Sequence, residues 1–236
     1  MDVGRQSVIQ RHKAKSPMKR IPKKNKPHTV YLDEVESKKL LASVNIPVPE
    51  EEIVSCIKET REHALRIGFP VVLKGIGIAH KSEANAVVTH IADMASLDKA
   101  FLRIQESLNP KTFLIQEMVP GNRELVVGFE RDKLMGPCVM FGLGGIFAEI
   151  LKDVTFRLAP ISISDAKMML QDIAGNKILG NVRGEPAADL AALARIIKAV
   201  GELGTRHKNI KSIDINPIIL CGENPVAVDA LIEITG

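Results

Sequence analysis

Aromatic side chains and cysteines are scarce in this chain. Among its 236 residues there are no Trp, one Tyr and seven Phe, so a hydrophobic core has to be built mainly from Ile, Leu, Val and Met. The three cysteines are Cys56, Cys138 and Cys221, and no two of them have the spacing of a metal-binding pair. Their odd number and apolar neighbours predict reduced thiols in a protein of the cytoplasm.

Long hydrophobic runs are also missing. Apolar residues make up 45% of the sequence, but no uninterrupted apolar stretch approaches the roughly twenty residues that a transmembrane helix needs. The N-terminal region lacks the apolar core of a signal peptide, and no internal repeat is present. Because a chain of this length can bury a sizeable core, we expect a globular protein without a membrane span.

The basic charge is concentrated at one end of the chain. Residues 1–28 contain nine of the 32 Lys and Arg residues but only one of the 28 acidic residues. The remainder, with 23 basic and 27 acidic residues, is mildly acidic, so the formal net charge of +4 says little about nucleic-acid binding. Because residues 1–28 have almost no apolar periodicity, we predict a disordered tail in preference to a contact for nucleic acid or an acidic partner.

Two segments near the C-terminus carry oxygen ligands suited to a hard cation. Asp214 and Asn216 belong to an Asp-Ile-Asn-Pro sequence, and Asp229 follows thirteen residues after Asn216, beyond a turn and a second β-branched run. Mg²⁺ keeps water and takes one or two protein oxygens plus substrate phosphates, so this ligand set fits a nucleotide site. The competing interpretation is ordinary turn chemistry, because carboxylates and Asn-Pro are common near hairpin turns.

A glycine-rich turn lies upstream of these ligands. Gly142, Gly144 and Gly145 follow a short apolar run, and residues without a Cβ allow the backbone to approach a phosphate closely. The spacing matches neither the phosphate loop that ends in Gly-Lys-Ser/Thr nor the dinucleotide fingerprint. An ordinary hairpin turn is the alternative.

Two further segments offer groups that a nucleotide could use. Lys74 ends an apolar strand, and His80 follows six positions later in a polar, glycine-spaced stretch. A lysine at a strand end is more often a solvated cap, but it could reach phosphates, and an exposed neutral imidazole is a competent phosphoryl acceptor near pH 7. Glu117 and Glu124 flank a proline-glycine turn between two apolar strands, where they either face solvent or accept hydrogen bonds from an adenosine.

Hydrophobic periodicity predicts an α+β fold with two lobes. The expected helices cover residues 32–41, 50–68, 96–108, 164–173 and 187–203. In the second of them, Ile53, Ile57 and Leu65 should face inward. We assign residues 29–118 to a first lobe and residues 119–236, with the glycine turn and a metal-binding hairpin, to a second lobe. A nucleotide would lie between the lobes, where polar groups from both can reach it.

Taken in this order, the segments resemble the ATP-grasp nucleotide-binding subunit of the ADP-forming acyl-CoA synthetases, which are relatives of succinyl-CoA synthetase. The resemblance covers roughly residues 32–235. It is most specific over residues 136–160, which look like the glycine-loop signature of the family nearly residue for residue, and residues 179–186 and the Asp-Ile-Asn-Pro segment extend it. The implied structure is an ATP-grasp fold with the nucleotide between two α/β lobes.

The resemblance implies nucleotide contacts from both lobes. In the first lobe they would be Lys74 for the phosphates and Glu117 with the backbones of Met118 and Val119 for adenine. In the second lobe they would be Glu124 for the ribose, Gly142, Gly144 and Gly145 for phosphate, and Arg157 as a nearby positive charge.

The resemblance also implies a metal site, a reaction and a partner. Asn216 and Asp229 would hold Mg²⁺, with Asp214 either a further ligand or a neighbour of the ligands. His80 matches the histidine of the family's His-Lys-Ser motif, which takes a phosphoryl group from Mg·ATP, reversibly, and carries it between subunits. Because nothing in the chain resembles a CoA-binding Rossmann domain, the acid and CoA would bind to a separate α subunit, in a heterotetramer.

Two other functions stay open on the sequence. After His-Lys-Ser the family usually has an acid and a glycine pair, whereas residues 83–87 read Glu-Ala-Asn-Ala-Val, and the stretch between Lys74 and His80 is shorter. A glycine-free loop has less backbone freedom to move, which fits a catalytically idle ATP-sensing module that regulates a partner acyltransferase. The other alternative is a direct ATP-grasp ligase that joins a carboxylate to an amine.

Overall fold

The strands of the described residues form two antiparallel β-sheets. A computed structural model describes residues 29–76, 86–145 and 152–235. The strands are β1 (Thr29–Tyr31), β2 (Glu51–Val54), β3 (Val71–Gly75), β4 (Val87–Ile91), β5 (Phe113–Glu117), β6 (Glu124–Asp132), β7 (Gly136–Leu143), β8 (Val154–Leu158), β9 (Ile210–Cys221), β10 (Asn224–Ala227) and β11 (Ala230–Thr235). The helices are α1 (Glu34–Ala42), α2 (Ile57–Ile67), α3 (Met94–Leu108), α4 (Ile163–Asp172) and α5 (Leu190–Arg206), with a 3-10 helix at Asn176–Leu179. None of the described helices is long and apolar enough to cross a bilayer.

The smaller sheet has one face covered by helices and another face that carries several polar side chains. Its strand order is β2-β5-β3-β4, and α2 and α3 pack against the side chains that alternate toward them. Phe101 of α3 stacks on Phe113 of β5 with the ring centroids 4.3 Å apart. Because successive side chains of a strand point to opposite faces, the other face carries Glu51, Lys74 and Gln116. These three residues therefore point away from the helices.

In the larger sheet, too, helices cover one face and leave the other face open. Its strand order is β1-β11-β9-β6-β7-β8, and β10 pairs with β9. Helices α4 and α5 cover one face, and α5 approaches closely because Gly201 and Gly204 have no side chain. A Cβ on Gly204 would lie 2.5 Å from the Phe129 ring, and one on Gly201 would lie 2.8 Å from Val139 Cγ2. The opposite face of this sheet is left for the candidate site.

The second predicted helix is the main local error. Residues 51–54 form β2, which pairs antiparallel with β5, and the helix starts only at Ile57. Sheet pairing here outweighs the local preference for helix, which is a weak determinant beside tertiary contacts. Ile57 packs against the core of the small lobe, but Ile53 and Leu65 are 42% and 68% exposed, so their inward assignment is wrong. The other four helices begin and end within three residues of their predicted limits.

The chain passes between the sheets at the predicted proline-glycine turn. β5 belongs to the small sheet and β6 to the large one, so the turn between these two predicted apolar strands is a connection between the lobes. The N-terminal segment departs from the predicted division at residues 29–118. β1 pairs with β11 of the large sheet, and Leu41 of α1 lies in the larger hydrophobic core, because their apolar side chains find partners there.

Candidate nucleotide and metal site

The predicted metal ligands lie on adjacent segments of the larger sheet. β9 exposes Asp214 and Asn216, while the alternating residues Ile213 and Ile215 are buried. Asp229 stands between β10 and β11, and its backbone carbonyl accepts a hydrogen bond from the Asn216 amide at 3.3 Å. Strand pairing thus brings Asn216 and Asp229 together from separate parts of the sequence.

Asp214 and Asp229 also interact electrostatically. Asp214 lies at a cavity of about 350 Å³ on the face of the sheet opposite the helices, with Gly128, Met140 and Phe156 in its wall. Although the carboxyl remains open to this cavity, partial burial raises its pKa, and the negative charge of Asp229 raises the pKa further. Two carboxylates held near each other favour a bound cation.

The donor chemistry at this point fits Mg²⁺. Within the three described stretches, no group of three or more His, Cys, Asp or Glu side chains is arranged to hold a metal ion. The available donors are therefore the Asn216 amide oxygen and the two carboxylates, and phosphate oxygens and water would have to complete an octahedral shell. Such a shell is the arrangement that Mg²⁺ adopts with nucleotides.

Lys74 is a buried residue and not a solvated strand cap. Its Nζ donates to Glu34 Oε1 at 2.5 Å and to the Val228 carbonyl at 3.2 Å. Val228 directly precedes Asp229, so the strand lysine of the small lobe meets the metal segment of the large lobe. The residues that the sequence predicted to bind phosphate and metal are therefore neighbours across the two lobes.

The segment predicted to contact adenine connects β5 to the second lobe. The amide of Glu117 donates to the Glu50 carbonyl at 2.9 Å, and the amide of Met118 donates to the Pro70 carbonyl at 3.2 Å. The N–H group of Met118 is therefore used inside the small lobe. An adenine contact at this place would fall to the Met118 carbonyl and to the backbone of Val119, which is a buried residue.

Glu124 and the glycine turn form one unit. The amide of Gly144 donates to the Glu124 carbonyl at 2.8 Å, and a Cβ on Gly145, whose φ is +59°, would overlap the Glu124 carboxylate. A Cβ on Gly142 would lie 2.5 Å from the Asp153 carbonyl. Gly142 and Gly144 are thus required for close contact between backbones, and the amide of Gly144 is already engaged. Cradling of phosphate by this turn stays a prediction.

Gly144→Ala is expected to destabilise the protein because the site has no room for a methyl group. Its Cβ would lie 2.9 Å from the backbone carbon and oxygen of Leu125, so one strand would have to move at a cost of about 1–3 kcal/mol. The measurement is urea unfolding followed by circular dichroism. Gly180→Ala is the matched control, because a Cβ there meets only the Lys177 carbonyl at 3.4 Å. Equal stability of the two variants would contradict the prediction.

Arg157 does not lie with the predicted phosphate ligands. In β8 it pairs with Val139, whose side chain faces α5, and its guanidinium forms an ion pair with Asp172 of α4. Asp214 lies on the opposite face of the same sheet. The alternation of side chains along β8 thus separates Arg157 from Asp214, which the motif alone did not resolve. Its predicted role as a positive charge beside the phosphates stays a prediction.

A family model for the ATP-grasp domain matches residues 24–234. The chain is an ATP-grasp protein. The β subunit of ADP-forming acetate–CoA ligase I from Pyrococcus furiosus is 42% identical over 227 residues, which are 92% of this chain and 96% of that subunit. Within the ATP-grasp family the chain thus belongs with the β subunits of ADP-forming acyl-CoA ligases. The predicted family and the α+β ATP-grasp fold are confirmed.

Solved structures agree with this ATP-grasp assignment. The dinucleotide-forming acetyl-coenzyme A synthetase 1 of Ca. Korarchaeum cryptofilum, in complex with coenzyme A and Ca-AMPCP, is 34% identical, with a TM-score of 0.82 over 87% of this chain and 93% of that chain. A second structure of the synthetase contains coenzyme A and Mg-AMPPCP, with a phosphohistidine segment that points towards the nucleotide-binding site. It has a TM-score of 0.77 and 35% identity over the same shares of the two chains.

The predicted phosphoryl acceptor, His80, lies outside the described residues. The structure places the strand that leads toward it, because β3 ends at Gly75 and Lys74 is held between the lobes. The role of His80 in this ATP-grasp chain stays a prediction that rests on the His-Lys-Ser motif.

Sequence reasoning missed the polar side chains that surround Lys74. They are Glu34, Lys38, Glu51 and Gln116. One signal was available, since Glu34 and Lys38 have opposite charges at positions i and i+4 of a predicted helix and such residues share one side of it. The spacing is far more typical of an exposed ion pair, so burial could not be inferred from it.

Proposed function

We propose that this chain is the nucleotide-binding subunit of an ADP-forming acyl-CoA synthetase. The overall reaction converts acyl-CoA, ADP and phosphate reversibly into the acid, CoA and ATP. The chain would transfer a phosphoryl group between the magnesium-bound nucleotide and a histidine. One observation carries the proposal: Lys74 of the small lobe donates to the Val228 carbonyl, next to Asp229 of the large lobe. The lysine expected to bind phosphates therefore lies beside the carboxylate expected to bind the metal.

Each predicted contact takes a specific part in this proposal. Asn216 and Asp229, with Asp214 beside them, would hold Mg²⁺, which neutralises charge on the phosphate oxygens when it is bound. Lys74 would donate to the same phosphates. This arrangement supplies positioning and charge neutralisation, which are the main protein contributions to phosphoryl transfer.

The remaining contacts would fix the nucleoside. Glu117 and the backbones of Met118 and Val119 would contact adenine, and Glu124 would accept from the ribose hydroxyls. Gly142 and Gly144 allow the glycine turn to lie against its neighbouring backbones, and the absence of a side chain on Gly145 leaves room for the Glu124 carboxylate. The nucleotide would then lie between the two sheets with its phosphates toward Lys74.

In the chemical step, His80 would attack the terminal phosphorus of ATP. A nitrogen–phosphorus bond forms as the bond from phosphorus to the bridging oxygen breaks, and ADP leaves. The reverse step regenerates ATP from ADP and the phosphorylated histidine. A neutral imidazole supplies the electron pair without a separate base.

The acid and CoA would bind to a partner. The relatives in Pyrococcus furiosus are named as β subunits, and this supports a complex with a CoA-binding α subunit, which we propose to be a heterotetramer. The chain by itself would then bind Mg·ADP but would not form acyl-CoA. Nothing in this proposal requires nucleic acid or a membrane, and the cytoplasm is the compartment that supplies its nucleotide.

Asp229→Asn is expected to remove the magnesium dependence of ADP binding. The substitution keeps the size of the side chain but takes away a negative charge at the predicted metal site, so we expect Mg·ADP affinity to fall about tenfold. The measurement is calorimetric titration of the chain with ADP in excess Mg²⁺ and again in EDTA. Wild type should bind more tightly with Mg²⁺, and the variant should bind equally in both.

Glu106→Gln is the control for loss of one negative charge, because Glu106 is an exposed residue of α3. It should keep the affinity and magnesium dependence of wild type. A variant at Asp229 that retained the full magnesium effect would overturn the metal assignment. A wild-type chain that bound no Mg·ADP at all would overturn the proposed function itself.

A further inference from the structure

A cluster of buried charged and polar side chains lies between the lobes. It consists of Glu34 and Lys38 of α1 with Glu51, Lys74 and Gln116 on the polar face of the small sheet, and we name it the interlobe cluster. Lys38 is the least accessible of its charged members, at 1% exposure. A lysine buried to this degree requires paired charges around it.

Lys38 joins the two acidic members of the interlobe cluster. Its Nζ donates to Glu34 Oε1 at 2.8 Å and to the Glu51 carboxylate. Burial raises the pKa of Glu51, and the charge of Lys38 opposes that rise. Glu34 accepts from Lys38 and from Lys74 through the same oxygen. The cluster therefore contains two positive and two negative side chains that depend on one another.

Three donors of the interlobe cluster converge on one carbonyl of the large lobe. The Val228 oxygen lies 3.1 Å from Gln116 Nε2, 3.2 Å from Lys74 Nζ and 3.4 Å from Lys38 Nζ. The Val228 amide donates in turn to the Pro217 carbonyl at 3.2 Å, next to Asn216. The backbone between the two predicted metal ligands is thus held from both lobes.

The shared oxygen of Glu34 has a consequence for nucleotide binding. If Lys74 donates to phosphate, it has to leave or weaken its contact with Glu34. Glu34 would then be a buried carboxylate with one strong partner fewer, which is costly unless another cation remains in place. Lys38 is already in contact with the same oxygen and can compensate the charge while Lys74 turns to the nucleotide.

We propose that Lys38 is a positioning residue for phosphoryl transfer, which holds Glu34 when Lys74 engages the nucleotide phosphates and fixes the Val228–Asp229 backbone at the metal site. The inference rests on the proposed nucleotide-binding function and adds a residue to it. Lys38 itself touches no predicted substrate atom. Its effect is exerted through Lys74 and Asp229.

The proposal makes the effects of two substitutions opposite in sign. Lys38→Met removes the compensating charge, so Glu34 retains Lys74, and Mg·ADP affinity should fall about tenfold. Glu34→Gln removes the carboxylate that competes with phosphate for Lys74, so Mg·ADP affinity should rise about threefold. A purely structural role for the interlobe cluster would instead make both variants bind more weakly.

The test is calorimetric titration with Mg·ADP of the whole chain in four forms: wild type, Lys38→Met, Glu34→Gln and the double variant. The double variant should lie within about threefold of wild type, because it loses one charge of each sign. Lys39→Met is the matched control, since Lys39 is the exposed neighbour of Lys38 in α1, and it should bind as wild type does. Circular dichroism checks that each variant is folded.

Two outcomes would overturn the role of Lys38. One is a Lys38→Met variant that binds Mg·ADP as tightly as Lys39→Met, and the other is weaker binding by Glu34→Gln. If Lys38→Met does not fold, the comparison of Glu34→Gln with the double variant decides. Without the Glu34 carboxylate, loss of Lys38 should weaken binding by no more than about threefold, and a tenfold loss in that background would show that Lys38 does not act through Glu34. A wild-type chain without Mg·ADP binding would refute the proposed function before Lys38 is tested.

Discussion

Replacing His80 by alanine is expected to reduce acyl-CoA formation by the assembled enzyme by at least about 10³-fold, while leaving Mg·ADP binding unchanged. The reaction is divided between two subunits, so the phosphoryl group needs a covalent carrier. Alanine offers no electron pair for phosphorus. The nucleotide contacts are expected from other residues, Lys74 and Asp229 among them, so their affinity should not depend on the imidazole.

The measurement combines intact mass with an activity assay. The chain is incubated with Mg·ATP and the CoA-binding subunit from the same genome. Wild type should gain one acid-labile phosphoryl group that ADP discharges, and His80→Ala should gain none. His207→Ala is the control, since His207 is an exposed residue at the C-terminal end of α5, and it should be phosphorylated and active like wild type.

Two results would contradict the role of His80, and each points to a different function. If neither wild type nor variant forms an adduct although both bind Mg·ADP, the chain behaves as the ATP-sensing module that the altered segment after His80 suggests. If His80→Ala still makes product, the acid is activated directly on the nucleotide, as in the ligases that join a carboxylate to an amine.

Replacing Arg123 by methionine is expected to lower the free energy of unfolding by about 3–5 kcal/mol. The Arg123 guanidinium is buried, and it donates to the carbonyls of Ile178 and Gly180 at 3.2 Å, Pro186 at 2.9 Å and Gly222 at 2.7 Å. Methionine keeps much of the volume but supplies no donor. Four carbonyls around the buried site of the guanidinium would then lose their partner together, which costs more than the net gain of an average hydrogen bond.

Urea unfolding of Arg123→Met and of Arg103→Met measures this effect. Arg103 is exposed on α3, and its replacement should change the free energy of unfolding by no more than about 0.5 kcal/mol. A loss of less than about 1 kcal/mol for Arg123→Met would mean that water or a rearranged loop replaces the guanidinium. In the variant, the segment after the 3-10 helix should lose its contacts with residue 123. Its backbone amides should then exchange faster with solvent, which amide hydrogen exchange can detect.

Local patterns were sufficient to predict the strands and the turn that carry the proposed metal ligands. The sequence placed Asp214 and Asn216 at the end of a β-branched run, and the structure exposes both on β9 while burying Ile213 and Ile215. The hairpin between β9 and β10 brings the chain back toward Asp229. Such features depend on side-chain periodicity and on a short turn, which neighbouring residues determine.

Patterns of the same kind failed where a distant strand decides the outcome. Residues 51–54 have a helical pattern but pair with β5, and β1, which was assigned to the first lobe, pairs with β11 of the large sheet. Arg157 lies in a motif that resembles the family signature, yet it faces α4 and pairs with Asp172. In each case the missing information is the identity of the segment that packs against the residue.

The sequence by itself determined the family, the order of the nucleotide-binding segments and the residues offered to the metal, because these reside in motifs and in the chemistry of single side chains. Only the tertiary structure decided that Lys74 is buried against Glu34 and that Lys38, Lys74 and Gln116 meet at Val228. These contacts join residues far apart in the chain, and burial alone changes a lysine from a solvated cap into a charge that must be compensated.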